Sequence, residues 1–274
     1  MREITPRPDE LLRIAVDVAR DAAETARRMR AEGVRGVDTK STSTDVVTAA
    51  DRAVERQVVA ALRDARPGDT VLGEEYGDSA DPRSRPPGAV RWILDPIDGT
   101  VNYLYGLPEY AVSLAAEVDG VVVAGVVRNA ATGDEWRATR GGGAYRDGER
   151  LRGSAQTDLA HALIATGFGY DPARRRHQAA VLAGLITEVR DIRRFGAAAI
   201  DLCRVAEGAM DAYYEKGLNA WDHAAGGLVA TEAGLRVAGL AGAPPGPELV
   251  IAAPPALFGP LHAHLLRLDA AGGA

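Results

Sequence analysis

Trp92-Ile93-Leu94-Asp95-Pro96-Ile97-Asp98-Gly99-Thr100-Val101-Asn102-Tyr103 is the stretch on which the architecture turns. Arg91-Trp92-Ile93-Leu94 has the composition of a buried strand, and it stops abruptly at an acid. Pro96 brings no N–H and forbids continued regular sheet pairing. A second acid follows three residues after the first, and Gly99-Thr100 turns the chain. Two carboxylates at a strand end, beside backbone N–H groups facing one spot, suit a hard divalent cation and a phosphate. Pro96 also leaves the Ile97 carbonyl outside regular ladder pairing, open to serve as an oxygen ligand. By itself the D-x-x-D spacing is weak, because Asp-Gly is also an ordinary turn.

The bulk properties set the frame. At 274 residues, 46% hydrophobic and 26% charged, the chain has the makeup of a soluble globular protein with a substantial core. A net charge of −6 argues against a dedicated nucleic-acid binder, which carries a basic face. The single cysteine, Cys203, excludes an intrachain disulfide and a cysteine-built zinc site, and fits a reducing compartment. Residues 1–20 mix acids through the segment and do not form a signal peptide. No run of about 18 uncharged apolar residues exists, so no membrane span is expected. The reading is cytoplasmic, with residues 270–274 (AAGGA) expected to fray.

Around the opening segment the pattern divides. Residues 11–30 read as an amphipathic helix, with Leu12, Ala15, Ala19, Ala22, Ala26 and Met29 on one stripe. Residues 40–44 form a polar linker, and residues 49–65 a second helix stopped by Pro67-Gly68. A strand at 70–72 precedes Gly73-Glu74-Glu75, and a Pro/Arg/Ser/Gly-rich loop fills 78–88. Residues 110–128 read as a hairpin around Asp119-Gly120, and 134–145 as a strand pair closed by Asp147-Gly148. The second half alternates: strand 162–165, helix 174–190, strand 192–195, helix 197–210, strand 212–214, helix 222–233, strand 249–252 and a last helix. Helices then antiparallel strands, followed by βα alternation, predict an α+β protein. With no linker between them, the halves, about 1–150 and 151–274, read as tightly joined lobes of one domain.

Further acids compete with plainer readings. Glu74 and Glu75 follow the strand at 70–72 and are either an exposed turn or a third carboxylate beside Asp95. Several carboxylates so close would repel and take up protons unless cations held them. Asp222, in Trp221-Asp222-His223-Ala224-Ala225-Gly226-Gly227, reads first as the N-cap of an Ala-rich helix. Gly226 and Gly227 each cost a helix about 1 kcal/mol relative to alanine, so a close contact should demand them. His223 reads as a first-turn surface residue, Asp51 as the partner of Thr48 in a capping box, and Lys40 and Asp45 as site residues or, equally, as solvated charges. Glu215 is a strand-end acid or a partner for substrate hydroxyls. The arginines at 174–176 and 193–194 cover a surface, or one pair guides an anionic substrate inward. No G-x-S-x-G, G-x-x-x-x-G-K-[ST] or H-E-x-x-H occurs, and the glycine run 141–143 precedes a strand.

Taken together, Gly73-Glu74-Glu75, the segment from Asp95 to Tyr103 and Trp221 to Gly226 resemble the inositol monophosphatase family. Residues 40–51 (KSTSTDVVTAAD), 193–198 (RRFGAA) and 211–215 (DAYYE) extend the resemblance over nearly the whole chain, in the family's order. Gly167-Phe168-Gly169-Tyr170 looks most like the bacterial members called SuhB. The resemblance implies a layered αβαβα sandwich of the inositol monophosphatase and fructose-1,6-bisphosphatase type, a homodimer, and Mg²⁺-dependent hydrolysis of a phosphate monoester. One cation would be held by Glu74, Asp95 and the Ile97 carbonyl, a second by Asp95, Asp98 and Asp222, with a third bound weakly and lithium as an inhibitor.

The implied reaction is direct attack of an activated water on phosphorus. Thr100 with Asp51 would accept its proton, Glu74 would orient it, and Gly99 and Thr100 N–H groups would hold phosphate oxygens. An Asp222-held water would supply the leaving-group proton. Gly196, Ala197, Ala198 and Glu215 would contact the alcohol. Two departures from common family patterns, His223 and Ala197, leave the alcohol open: inositol monophosphate leads, with histidinol phosphate, fructose 1,6-bisphosphate and 3′-phosphoadenosine 5′-phosphate as alternatives. A different class, a regulatory protein binding RNA or transcription machinery, is the competing reading.

Overall fold

In the computed structural model the described residues are 7–42, 45–80 and 85–273. Residues 1–6 of the start, Ser43 and Thr44 of the linker, 81–84 of the loop at 78–88, and Ala274 lie outside them. Helix α1 (Pro8–Ala31) opens with proline at its first position and acids in its first turn, both favourable there. Helix α2 (Ala49–Ala65) opens on the Thr48 capping box. Between them the expected plain linker contains a minimal antiparallel ladder, β1 (Asp38–Thr39) with β2 (Val46–Val47).

Next come β3 (Thr70–Gly73), β4 (Gly77–Asp78), β5 (Val90–Asp98), short helix α3 (Thr100–Tyr105), β6 (Ala111–Val118), β7 (Val121–Asn129), β8 (Glu135–Thr139), β9 (Gly143–Arg146) and β10 (Glu149–Arg150). They form an eight-stranded sheet in the order β10-β9-β8-β7-β6-β5-β3-β4. Only the β3–β5 pair is parallel. Asp119-Gly120 and Asp147-Gly148 turn their hairpins with positive φ at both central residues, the backbone that matches strand twist.

The second half supplies β11 (Leu163–Thr166), α4 (Pro172–Leu185), β12 (Asp191–Arg193), α5 (Ala198–Ala206), β13 (Ala212–Glu215), α6 (Ala220–Glu232), β14 (Arg236–Ala238), β15 (Val250–Ala253) and α7 (Pro255–Arg267). Its sheet runs β12-β11-β13-β15-β14, with β11 parallel to both neighbours and β15 antiparallel to both of its own. Helix α5 is shorter than its apolar pattern because Gly208, at φ +80, takes the left-handed conformation that ends a helix.

Side-chain alternation assembles the layers. On β6, Val112, Leu114, Ala116 and Val118 pack with Leu11, Ala15, Val54 and Val58 of α1 and α2. Ala111 and Ala115 face the opposite way, toward Ala199, Leu202, Ala225 and Leu228 of α5 and α6. Helices α5 and α6 lie between the two sheets, so both are buried over most of their length. On the far side of the second sheet, Ile164, Tyr214 and Ile251 pack with Val181 and Leu185 of α4 and Leu257 and Leu261 of α7. The order is the expected αβαβα.

Gly226 is demanded by this sandwich: a Cβ there would stand 3.0 Å from both the Ala199 carbonyl oxygen and Leu202 Cβ. Gly227 meets only Val237, at 3.9 Å, and nothing in the structure explains it. Residues 271–273 do not fray as expected. The carbonyls of Ala271, Gly272 and Gly273 converge on Lys216, which ties the tail down.

Candidate active site

The strand expected to stop at Asp95 continues to Asp98 through a bulge. Asp95 pairs with Ser113 and Asp98 with Ala111, so three steps on β5 match two on β6. In a regular strand, residues three apart face opposite sides. Here Trp92 and Leu94 enter the outer core, Ile93 and Asp95 the inner face, and the extra residue sends Ile97 outward. Asp98 thereby returns to the inner face beside Asp95. Pro96 sits within the irregularity, where its missing N–H breaks no ladder bond. The Ile97 N–H donates to Asp95 Oδ1 at 3.0 Å.

Neighbouring elements deliver the other acids. Parallel pairing sets Gly73 opposite Leu94, and the Glu74 N–H donates to the Leu94 carbonyl at 3.3 Å, bringing Glu74 next to Asp95. Glu55 braces that turn from α2 by accepting from the N–H groups of Glu75 and Tyr76 at 2.9 and 3.1 Å. Its carboxylate fills the space where a Gly73 side chain would go. Asp222 is the third residue of α6 rather than its cap. Asn219 caps the helix, and its N–H donates to Asp222 Oδ2 at 2.6 Å. Ser113 Oγ donates to the Trp221 carbonyl at 3.2 Å and ties this helix start to β6. His223 is partly buried there, not at the surface, and burial lowers its pKa.

Asp98 joins the two halves: it accepts from the N–H groups of Ala198 and Ala199 at 3.2 and 2.8 Å. Asn102 repeats the link, donating to the Glu109 and Phe195 carbonyls at 2.7 and 2.8 Å. Gly99, at φ +88, turns β5 into α3, and any Cβ there would stand 2.6 Å from the Glu109 carbonyl oxygen. Thr100 Oγ1 lies 3.1 Å from both Asp51 Oδ1 and the Ile97 carbonyl. Asp51 therefore serves its helix cap and reaches Thr100 at once.

These groups open into a cavity of about 770 Å³ lined by Glu74, Asp95, Ile97, Asp98, Gly99, Thr100, Gly196, Ala198, Glu215 and Asp222. Asp51 lies behind Thr100. Ala197 is buried at 1% exposure with its methyl toward Gly99, off the cavity wall, and the Ala198 N–H is taken by Asp98. Arg174 and Arg194 line the cavity rather than covering a distant surface.

Burial raises the pKa of Asp95 well above the carboxylate range, and the charges of Glu74, Asp98 and Asp222 raise it further. Burial pushes Asp98 up to about 7 against the two α5 N–H groups, and raises Asp222 well above its ordinary value with help from Glu74 and Asp98. Glu215 is also lifted to about 7 by burial, opposed by the Tyr213 hydroxyl that donates to it at 2.6 Å.

Hard oxygen donors crowded until they hold protons fit the chemistry of a divalent cation. Among the described residues no group of three His, Cys, Asp or Glu side chains is disposed as a finished metal cage. Lys40 Nζ instead pairs with Glu74 at 2.8 Å and with Glu75, while Asp98 and Asp222 face backbone N–H groups. Of the two readings open for Lys40, the structure gives an ion-paired residue at the site. Burial opposes its charge, but the two glutamates outweigh burial and raise its pKa.

Glu55, Asn102 and Tyr213 are site residues that sequence reasoning missed. Asn102 stood within the decisive segment. Glu55 was signalled only as an acid on the buried stripe between Val54 and Val58.

The inositol monophosphatase family profile matches residues 7–268. An inositol-1-monophosphatase of Mycobacterium leprae is 46% identical over 96% of this chain and 95% of its own length. A protein called Nus factor SuhB from Pasteurella multocida is 38% identical over 82% of this chain and 83% of its own. The solved structure of Mycobacterium tuberculosis SuhB superposes with a TM-score of 0.81 at 42% identity, covering 97% of this chain and 99% of that one. Agreement on this scale, in sequence and in three dimensions, makes the chain a member of the inositol monophosphatase family.

Proposed function

We propose that the chain is a Mg²⁺-dependent phosphate monoester hydrolase that releases myo-inositol and phosphate from inositol 1-monophosphate. The observation that carries this reading is the convergence of Glu74, Asp95, Asp98 and Asp222 on one cavity beside the Thr100–Asp51 pair. Glu74, Asp95 and the Ile97 carbonyl would hold one Mg²⁺; Asp95, Asp98 and Asp222 a second; a third would bind weakly. When bound, the cations lower the pKa of the attacking water and neutralise charge developing on the phosphoryl oxygens.

The chain's own groups do the rest. Thr48 holds Asp51 Oδ2 through its hydroxyl and N–H at 2.5 and 2.8 Å, which leaves Oδ1 for Thr100. Thr100 takes the proton of the attacking water while passing its own hydroxyl proton to Asp51 Oδ1. Burial, which raises the Asp51 pKa, strengthens it as that acceptor. Glu74 orients the water. The N–H groups of Gly99 and Thr100, at the start of α3, hold phosphate oxygens. As the phosphorus–oxygen bond to the alcohol breaks, a water held by Asp222 gives the leaving oxygen its proton. Glu215, fixed by Tyr213, accepts hydrogen bonds from hydroxyls of the alcohol beside the Gly196 backbone.

Phosphate release from inositol 1-monophosphate, histidinol phosphate, fructose 1,6-bisphosphate and 3′-phosphoadenosine 5′-phosphate, with Mg²⁺ and after chelation, tests the reading. Undiminished turnover after chelation, or in Asp95→Asn, overturns the mechanism; the highest kcat/KM identifies the alcohol. A homodimer, a cytoplasmic setting and inhibition by lithium belong to the same proposal. Consistent with it, no helix among the described residues is long and apolar enough to cross a membrane. Relatives named as Nus factors motivate a second reading, association with transcription machinery. Recovery of polymerase or RNA at physiological salt, together with negligible phosphatase turnover, would favour that instead.

A further inference from the structure

Lys216 follows Glu215 directly and lines the cavity, yet is only 8% exposed. Its ammonium donates to the carbonyls of Ala271 at 2.6 Å, Gly272 at 2.8 Å and Gly273 at 2.8 Å. An ammonium has three N–H donors and no acceptor, so three converging carbonyls satisfy it fully without a counter-charge. The cage is anchored outside the cavity. His177 of α4 bonds through Nε2 to the Asp269 carbonyl at 2.7 Å, and Ala270 is buried in the outermost core.

The next residue of α4 couples this tail to the cavity wall. Gln178 donates to the Lys216 carbonyl at 3.2 Å and accepts from the Gly169 N–H at 2.9 Å. The Gly217 N–H closes the turn by donating to the Pro247 carbonyl at 2.8 Å. The turn after β13 is therefore held from the backbone by Gln178 and Pro247, and from its side chain by the chain's own C-terminal segment. Glu215 stands at the head of that turn.

We propose that residues 271–273 form a positioning device for the alcohol side of the site: by caging Lys216 they hold the Glu215 carboxylate where it meets substrate hydroxyls. This rests on the reading above that Glu215 contacts the alcohol. Lys216 and the tail act through Glu215 and touch neither phosphate nor cation.

The test compares the intact chain, a chain ending at Ala270, and Lys216→Met in the full chain. The shortened chain keeps the Ala270 packing, and Lys216→Met keeps the tail. Each is assayed on the polyol monophosphate that the intact chain hydrolyses best and on p-nitrophenyl phosphate, which has no polyol to meet Glu215. Amide hydrogen exchange of residues 213–217 is followed in parallel. Both variants should raise KM for the polyol substrate about tenfold, the scale of losing a charge-assisted hydrogen bond. Its kcat, and kcat/KM for p-nitrophenyl phosphate, should change less than about twofold, and exchange should quicken at 213–217 but not in β6 and β7. Unchanged exchange at 213–217, an unchanged polyol KM, or equal losses on both substrates overturns the proposal. If the intact chain releases phosphate from no polyol monoester, the parent reading fails instead, while the exchange comparison still decides whether the tail holds the turn.

Discussion

Without bound cations the protein should have a stability that falls as pH rises, and Asp98 contributes a definable part of that fall alongside Asp95, Asp222 and Glu215. Its pKa is raised from 3.8 to about 7, chiefly by burial. A raised pKa means that the folded chain keeps a proton the unfolded chain has released. The associated stability is whole below pH 3.8 and is lost as pH rises through about 7. The window spans about three pH units, each equivalent to about 1.4 kcal/mol, so about 4 kcal/mol is lost across it. That corresponds to a Tm change on the order of 10 °C for a chain of this size.

Calorimetry of chelated protein at pH 5 and pH 8 reads the upper two units of this window, about 3 kcal/mol, and Mg²⁺ should restore more stability at pH 8 than at pH 5. Asp98→Asn should make the pH slope shallower. It will also lower stability uniformly, because its amide oxygen can accept from only one of the Ala198 and Ala199 N–H groups and its NH2 then faces the other, so slopes rather than absolute values are compared. Chelated protein whose stability is level or rises from pH 5 to 8, with Asp98→Asn unchanged in slope, would refute the reasoning.

Thr100→Ala and Asp51→Asn should each lower kcat by about 10²–10⁴-fold with little change in KM, the range for lost proton transfer, as steady-state kinetics would register. Gly226→Ala should destabilise the fold by about 1–3 kcal/mol in urea melts, because its new methyl would press on the Ala199 carbonyl and Leu202. Asp201 is buried at 1% exposure with no hydrogen-bond partner for either carboxylate oxygen, and burial raises its pKa well above 3.8. Asp201→Asn should therefore gain stability relative to the native chain as pH rises above 3.8, by up to about 1.4 kcal/mol per pH unit until the folded-state pKa is passed. A pH-independent difference in urea midpoints would contradict it.

Much of the framework was legible because its signals are local. The 3.6-residue stripes of α1 and α2, the Asp-Gly pairs that turn two hairpins, and acids placed just after apolar strands all act within a few residues. They predicted the α+β class and marked Glu74, Asp95, Asp98, Glu215 and Asp222 as candidates, which the family resemblance then joined into one site within a layered sandwich. Boundaries slipped where a single backbone conformation intervened, as at Gly208, or where the cap lay upstream of the expected residue, as with Asn219 before Asp222.

Tertiary structure decided what depends on pairing between distant segments. The bulge that returns Asp98 to the face of Asp95 exists only against the register of β6. Lys40 finds Glu74 across 34 positions, Asp98 finds Ala198 across 100, and Lys216 finds the tail across 55 to 57. No local pattern marks such partners, because a charge carries the same propensity whether it ends in solvent or in a cage of carbonyls. Acids at the ends of strands were written in the chain itself. Their arrival around one cavity between the two sheets, crowded enough to hold protons, required the sandwich to close and exclude water.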